Sequence, residues 1–390
     1  MAQPKFVGKI EWPVSVQLGK GLEGAITNES EIGYVDGQKG WLVYRGYNIF
    51  DLAEHSTFEE TTYLLLFGKL PTQQELDEFK QKLVSYRPIP GEVIGTLKAI
   101  PKDTHPMAAL RTGVSVLGCC DPDADKCTIE SETEISIKLV SQMATIAAAI
   151  ARIRKGEEPV EPDPGLDHTA NYLLMTNGEK PDELMEKVMD VALILHADHG
   201  MNNSTFTTMT IHSTLSDMYS AIVGGIASLK GPLHGGANER ALADLLKLED
   251  EEAASRFVKE CIAQKKKIMG FGHRVYKAYD PRAKILGEYS QEVTEKKGMG
   301  HLYRIAKRIE DEVIAAYGAR GIFPNVDFYS GTIYYAFGIE PKMFTPIFAV
   351  SRISGWCARV LEYLPVNRIF RPRAEYVGTM EAEYVPMDQR

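Results

Sequence analysis

The feature that most constrains this chain is the spacing of its apolar residues, which beyond the first 50 positions is mostly helical. Leu184, Val188, Val191, Ala192 and Leu195 fall on one face at about 3.6 residues per turn, as do Met218, Ala221, Ile222, Gly225, Ile226 and Leu229. Breakers separate such segments, at Pro88 and Pro90, Pro101, Pro106, Gly231-Pro232, Pro281, Pro324, Pro341 and Pro346. A chain patterned this way has to bury many helix faces against one another, so the expected fold class is all-α. The exception is IGYVDGQKGWLVYRGYNI, Ile32 to Ile49, where the turn signal Asp36-Gly37 lies between β-prone runs and predicts a small N-terminal β-hairpin. No self-similarity at a period of about 33–47 residues appears, which disfavours a helical solenoid and favours a multi-helix globule.

At 390 residues the chain exceeds the usual size of one core, so two domains are expected. The stretch EEPVEPDPG can be a linker or a surface loop. A formal net charge of −9 argues against a nucleic-acid-binding face. No uninterrupted apolar run approaches the roughly 20 residues of a membrane span. The N-terminus, MAQPKFVGKIEWPVSVQLGKG, lacks the apolar core of a secretory signal and the Arg/Ser-rich pattern of a transit peptide, so a cytoplasmic location is expected. The five cysteines include no C-x-x-C pair, and they are expected to be reduced and mostly packed.

Five segments concentrate residues able to do chemistry. In LILHADHGMNNSTF, His196 and His199 close an apolar helical face; they can be a metal pair, a hydrogen-bonded structural pair or ligand-binding groups, although no third metal ligand is evident from spacing. In KGPLHGGANERALADLL, His234 stands just before a new helix. There the positive end of the helix dipole disfavours an imidazolium and leaves a neutral hydrogen-bond donor, unless the turn is only a glycine-rich cap. In KKKIMGFGHRVYKAYDPRAK, His273 follows a Gly-Phe-Gly turn among Lys265, Lys266, Lys267, Arg274, Lys277 and Arg282. These suit a polyanion or a solvated face, and Pro281 helps to aim Arg282.

The fourth segment, FPNVDFYSGTIYYAFGI, holds Asp327 among apolar neighbours. Burial makes a carboxylate a stronger base, so Asp327 is a candidate general base; the plainer alternative is a helix or turn cap. The fifth, SRISGWCARVLEYLPVNRIFRPRAEYVG, carries Arg352, Arg359, Arg368, Arg371 and Arg373, forks that suit a small dicarboxylate or surface ion pairs.

The ordered set GPLHGGAN, GFGHRVYKAYDPR, PNVDFYSG, RISGW and RPRAEYVG, with GYVDGQKGWLVYRGYNIFDLAEHSTFEE, HPMAALRTGVSVLG and HADHGMNNSTFTT upstream, resembles the citrate synthase family over nearly the whole chain. The resemblance implies a large helical domain from residues 1–226 and 333–390, a small helical domain at 227–332, and a homodimer. It implies His234, His273 and Asp327 as the catalytic trio. His199, Arg282 and Arg352 are implied as oxaloacetate ligands, with Arg371 reaching the neighbouring subunit's site and Lys267, Arg274 and Lys277 meeting coenzyme A.

The implied reaction condenses acetyl-CoA with oxaloacetate and water to citrate and CoA, with no metal or redox cofactor. Relatives often have a histidine at the position of Arg359 and an acid at that of Gly200. 2-Methylcitrate synthase, which prefers propionyl-CoA, shares the same motifs. A non-catalytic scaffold has no need for the trio, and a metal hydrolase using His196 and His199 would need stoichiometric metal.

Overall fold

Helix-stop and helix-start signals in the sequence become real boundaries in the computed structural model, which describes residues 19–390 except Glu23, Met380 and Glu381. Most of the N-terminal segment considered for targeting, residues 1–18, lies outside the described residues. Thr72 and Glu75 form a capping box, and Pro106 and Pro281 open their helices at the first position, where a missing N–H costs nothing. Sixteen α-helices result among the described residues, and the fold class is all-α as expected.

Two units separate by their contacts: Ser30–Arg368, and the described part of Met1–Glu29 with Ile369–Arg390. At the centre of the first lies helix Phe344–Tyr363, buried at every position from Phe344 to Leu361. It packs on helices Phe58–Phe67, Ile129–Lys155, Glu183–His196 and Asn203–His212. Helix Ile129–Lys155 is long and apolar enough to cross a bilayer, but 83% of its most apolar window is buried inside the protein, which marks it as a core helix. EEPVEPDPG is a loop within this unit, between Ile129–Lys155 and His168–Asn177. Helices Ala237–Leu245, Glu251–Ala263, Pro281–Lys296, Gly300–Tyr317 and Val326–Ala336 pack mainly on one another.

The β element is larger than the expected hairpin. Strands β1 (Gly33–Asp36), β2 (Trp41–Tyr44) and β3 (Tyr47–Asn48) form an antiparallel sheet in that order. The third strand has only two residues, too few to show a period in sequence. It follows a two-residue turn at Arg45 and Gly46, both with positive φ. The cysteines also differ from expectation: all five are free, but only Cys261 and Cys357 are buried, while Cys119 and Cys120 are exposed.

The turn after β1 reaches the chemistry-bearing segments directly. Gly37 O accepts from the backbone N–H groups of Lys277 and Ala278 at 2.8 and 3.1 Å, tying the sheet to the segment that carries His273.

Candidate active site

Helix Glu183–His196 delivers the HADH segment, and its following turn is held from three sides. Tyr44 donates its hydroxyl to Asp198 O at 2.8 Å, and Arg359 grips the buried Asp198 carboxylate through Nε and Nη2 at 3.2 and 2.7 Å. Gly355 donates its N–H to Ala197 O at 3.1 Å; a Cβ there would lie 2.2 Å from that oxygen, so this helix-to-turn approach requires glycine. His196 turns into the core, where Nδ1 meets Ala192 O at 2.7 Å and the ring packs edge-on against Phe348. It is therefore the hydrogen-bonded structural member of the pair. His199 faces the other segments: Nε2 lies 3.3 Å from the Tyr276 hydroxyl, and its ring meets His273 edge to face at 5.1 Å.

His234 sits in the turn between helices Met218–Leu229 and Ala237–Leu245. The backbone N–H of Ser204 points at His234 Nε2 from 3.3 Å, and the Ser204 hydroxyl lies 2.8 Å from the same atom. A backbone N–H can only donate, so Nε2 is the unprotonated nitrogen and the neutral ring carries its proton on Nδ1. Burial first, and then Arg352, lower the pKa of His234 to about 4. Neutrality was expected from the helix dipole, but desolvation is the main cause.

The same logic applies at His273. Its Nδ1 accepts from Val275 N–H and Tyr276 N–H at 3.0 and 3.2 Å, so the neutral ring presents Nε2–H. Burial, then Arg282, lower its pKa to about 4. His199 is likewise held well below its ordinary pKa by burial, Arg282 and His273. The segment before His273 is stitched to the start of helix Val326–Ala336: Asn325 N–H donates to Gly270 O at 2.9 Å and its side-chain amide donates to Gly272 O at 3.0 Å. Gly270 has φ of 82°, and a Cβ on it would press against Cα and Cβ of Phe328 at 3.1 and 3.0 Å.

Asp327 occupies the first turn of that helix. Asn325 caps the helix by accepting from Asp327 N–H at 3.0 Å, so the Asp327 carboxylate is not needed as a cap. It is 8% exposed and its Oδ1 has no hydrogen-bond partner. Burial raises its pKa to about 7, with Arg282 and Arg352 pulling down and Asp280 pushing up. This is a carboxylate able to take up a proton near neutrality.

Two buried arginines give the region its positive charge. Arg282 engages Asp280 through Nε and Nη2 at 3.0 and 2.8 Å, a pairing that leaves Nη1 outside it. Arg352 donates Nε–H to His196 O at 2.6 Å and lies over the Phe348 ring at 4.7 Å. Burial lowers the pKa of Arg352 to about 10, against the opposing charge of Asp198. Asp198 is already paired with Arg359, so Arg352 lacks a carboxylate of its own. A desolvated guanidinium in that state favours an incoming anion.

Lys267, Arg274 and Lys277 are all exposed on the segment around His273. Arg371 is exposed in the unit containing Ile369–Arg390. Arg359, in sequence one of five arginines and a position where relatives often have a histidine, is buried and holds the HADH turn. The sequence assigns no role to Ser204, Tyr276 or Asp198. Ser204 lies 30 residues from its partner His234, and Asp198 lies 161 residues from Arg359, so no local pattern could announce either pair.

Comparison with known proteins defines the class. Residues 21–373 match the family described as "Citrate synthase, C-terminal domain". The chain is 47% identical to the citrate synthase of Deinococcus radiodurans over 96% of this chain and 99% of that protein. It is 39% identical to a 2-methylcitrate synthase of Shewanella oneidensis over 95% of this chain and 98% of that protein. A Thermoplasma acidophilum citrate synthase, solved as a ternary complex with carboxymethyl coenzyme A and oxaloacetate, superposes with a TM-score of 0.92 at 36% identity, covering 96% of this chain and all of that one. The chain belongs to the citrate synthase family. It is an enzyme of that family, with the expected mostly helical architecture.

Proposed function

We propose that this protein condenses acetyl-CoA with oxaloacetate and water to give citrate and free CoA. The observation that carries the reading is Asp327, a buried carboxylate with an unpartnered oxygen, whose pKa burial raises to about 7 against the opposing charges of Arg282 and Arg352.

Asp327 removes a proton from the methyl group of acetyl-CoA, and the neutral His234 donates from Nδ1 to the thioester oxygen as an enol or enolate forms. The nucleophilic methylene carbon then bonds to the ketone carbon of oxaloacetate, while His273 supplies Nε2–H to the ketone oxygen as it gains charge. Water finally cleaves the citryl thioester, with the sulfur leaving as CoA. Arg282, Arg352 and His199 bind the oxaloacetate carboxylates and ketone, and Arg371 reaches this site from the neighbouring subunit of a homodimer. Lys267, Arg274 and Lys277 meet the CoA phosphates. The reaction in this form uses no metal or redox cofactor.

The domains are residues 1–226 with 333–390, and 227–332. The mutual packing of the helices between Ala237 and Ala336 supports the smaller one. Closure of that domain excludes water from the enol step. We place the enzyme in the cytoplasm.

The test is release of free CoA thiol from oxaloacetate with acetyl-CoA and, side by side, propionyl-CoA. Preference for acetyl-CoA is expected. Preference for propionyl-CoA, whose extra methylene is worth only about 1–3 kcal/mol of discrimination, would make the protein a 2-methylcitrate synthase. No thiol release with either would remove the reading.

A further inference from the structure

Away from the candidate active site, three ligand-type atoms converge: a Cys127 sulfur, a Glu132 carboxylate oxygen and a His212 ring nitrogen, all within 4.8 Å of one another. Cys127 precedes the N-cap Thr128 of helix Ile129–Lys155, Glu132 lies in the early part of that helix, and His212 ends helix Asn203–His212. His212 Nε2 is 3.2 Å from Glu132 Oε1 and 3.9 Å from Cys127 Sγ. In a tetrahedral site with bonds of about 2.0–2.3 Å, neighbouring ligand atoms stand roughly 3.3–3.8 Å apart, so both separations fall close to that edge length. His212 is 80 and 85 residues from its two neighbours, which is why no spacing motif announces the cluster.

A second observation points to a ligand. Glu132 is fully buried, yet its Oε2 has no hydrogen-bond partner. A buried, half-satisfied carboxylate is costly unless a cation answers it. Binding with loss of the thiol proton gives one thiolate, one carboxylate and one neutral imidazole, a total of −2 that a divalent ion cancels. The sulfur and nitrogen donors select against magnesium and calcium and favour zinc-like ions.

We propose that Cys127, Glu132 and His212 form a binding site for a divalent cation of the zinc class, entered past the half-buried Cys127, with the thiol proton released on binding. The site is separate from the residues assigned to citrate formation, and its failure would leave that assignment untouched.

The test uses the full, reduced chain carrying Cys119→Ser and Cys120→Ser, which removes the two exposed thiols. Titration with Co²⁺ is expected to load one ion per chain and to raise a near-ultraviolet thiolate-to-cobalt band. The band should vanish in Cys127→Ser, weaken at least tenfold in affinity in His212→Gln, and persist in His273→Gln. In the unaltered protein, saturating Zn²⁺ should slow alkylation of Cys127 at least tenfold, as read by mass spectrometry, which decides the matter if Cys127→Ser fails to fold. A cobalt band that survives Cys127→Ser, or Cys127 labelling unaffected by Zn²⁺, overturns the proposal.

Discussion

Ser204 directs its backbone N–H at His234 Nε2 from 3.3 Å, and that single contact decides which face of the imidazole can donate to a substrate. The serine hydroxyl, 2.8 Å from the same nitrogen, also accepts from Trp356 Nε1–H at 3.2 Å, so a buried tryptophan braces the pair. Ser204→Ala keeps the backbone donor and loses the brace. One neutral hydrogen bond contributes about 1 kcal/mol, so kcat should fall by roughly fivefold to tenfold. His234→Ala removes the donor to the developing enolate, and kcat should drop by about 10²–10³ with little change in oxaloacetate affinity. Steady-state kinetics on both variants checks the ordering; equal losses would contradict it.

The pH profile follows from three groups. The two histidines act neutral and have pKa values near 4, whereas Asp327 must lose its proton near 7. Activity should therefore rise with pH, with kcat/KM climbing about tenfold per unit below roughly 7 and levelling above it. Asp327→Glu should displace that limb. A profile flat from pH 5 to 8 would contradict the assignment.

The same group predicts a stability effect of opposite sense. Asp327 has a folded pKa raised from 3.8 to about 7, so its contribution is fully present below the unfolded pKa and is lost as pH rises through the folded one. Between those values the unfolded chain ionises more readily, which costs the fold on the order of 3–5 kcal/mol by pH 8. Asp327→Asn removes the cost. Its Tm should exceed that of the parent at pH 8 and match it near pH 4, by calorimetry at both pH values.

How much of this was legible in the sequence depends on how far apart the partners lie. Helical spacing and the breakers at Pro106 and Pro281 were enough for the fold class, because helix starts depend on neighbours within a turn. An acid among apolar residues was likewise readable at Asp327, and Asn325 two positions away explains why it is not the cap. The neutral His234 was anticipated for a secondary reason, since the helix dipole was visible locally while the burying elements were not. Long-range pairs left no trace: Arg359 could not be distinguished from a surface arginine until Asp198 was seen against it.

That pair makes its own prediction. Arg359 and Asp198 are both buried, and removing one leaves the other uncompensated, at a cost of about 3–5 kcal/mol. Arg359→Ala should lower Tm accordingly. Because Asp198 adjoins His199, KM for oxaloacetate should rise more than KM for acetyl-CoA. Equal changes in the two KM values would detach the pair from the HADH turn's proposed role.

Sharing of Arg371 between subunits can be tested with two inactive parents. In the proposed homodimer, mixing Arg371→Ala with Asp327→Asn chains gives hybrids in which one site would recover both residues, so random assembly should restore about a quarter of the parent activity. No recovery after confirmed subunit exchange would place Arg371 outside the partner's site.

The most direct test of the account is Asp327→Asn assayed twice, by CoA thiol release with acetyl-CoA and oxaloacetate, and by calorimetric binding of oxaloacetate alone. The account predicts that oxaloacetate affinity stays within a few-fold of the parent while turnover falls by at least about 10²–10⁴. Turnover close to that of the parent, with binding intact, would contradict the assignment of Asp327 as the base.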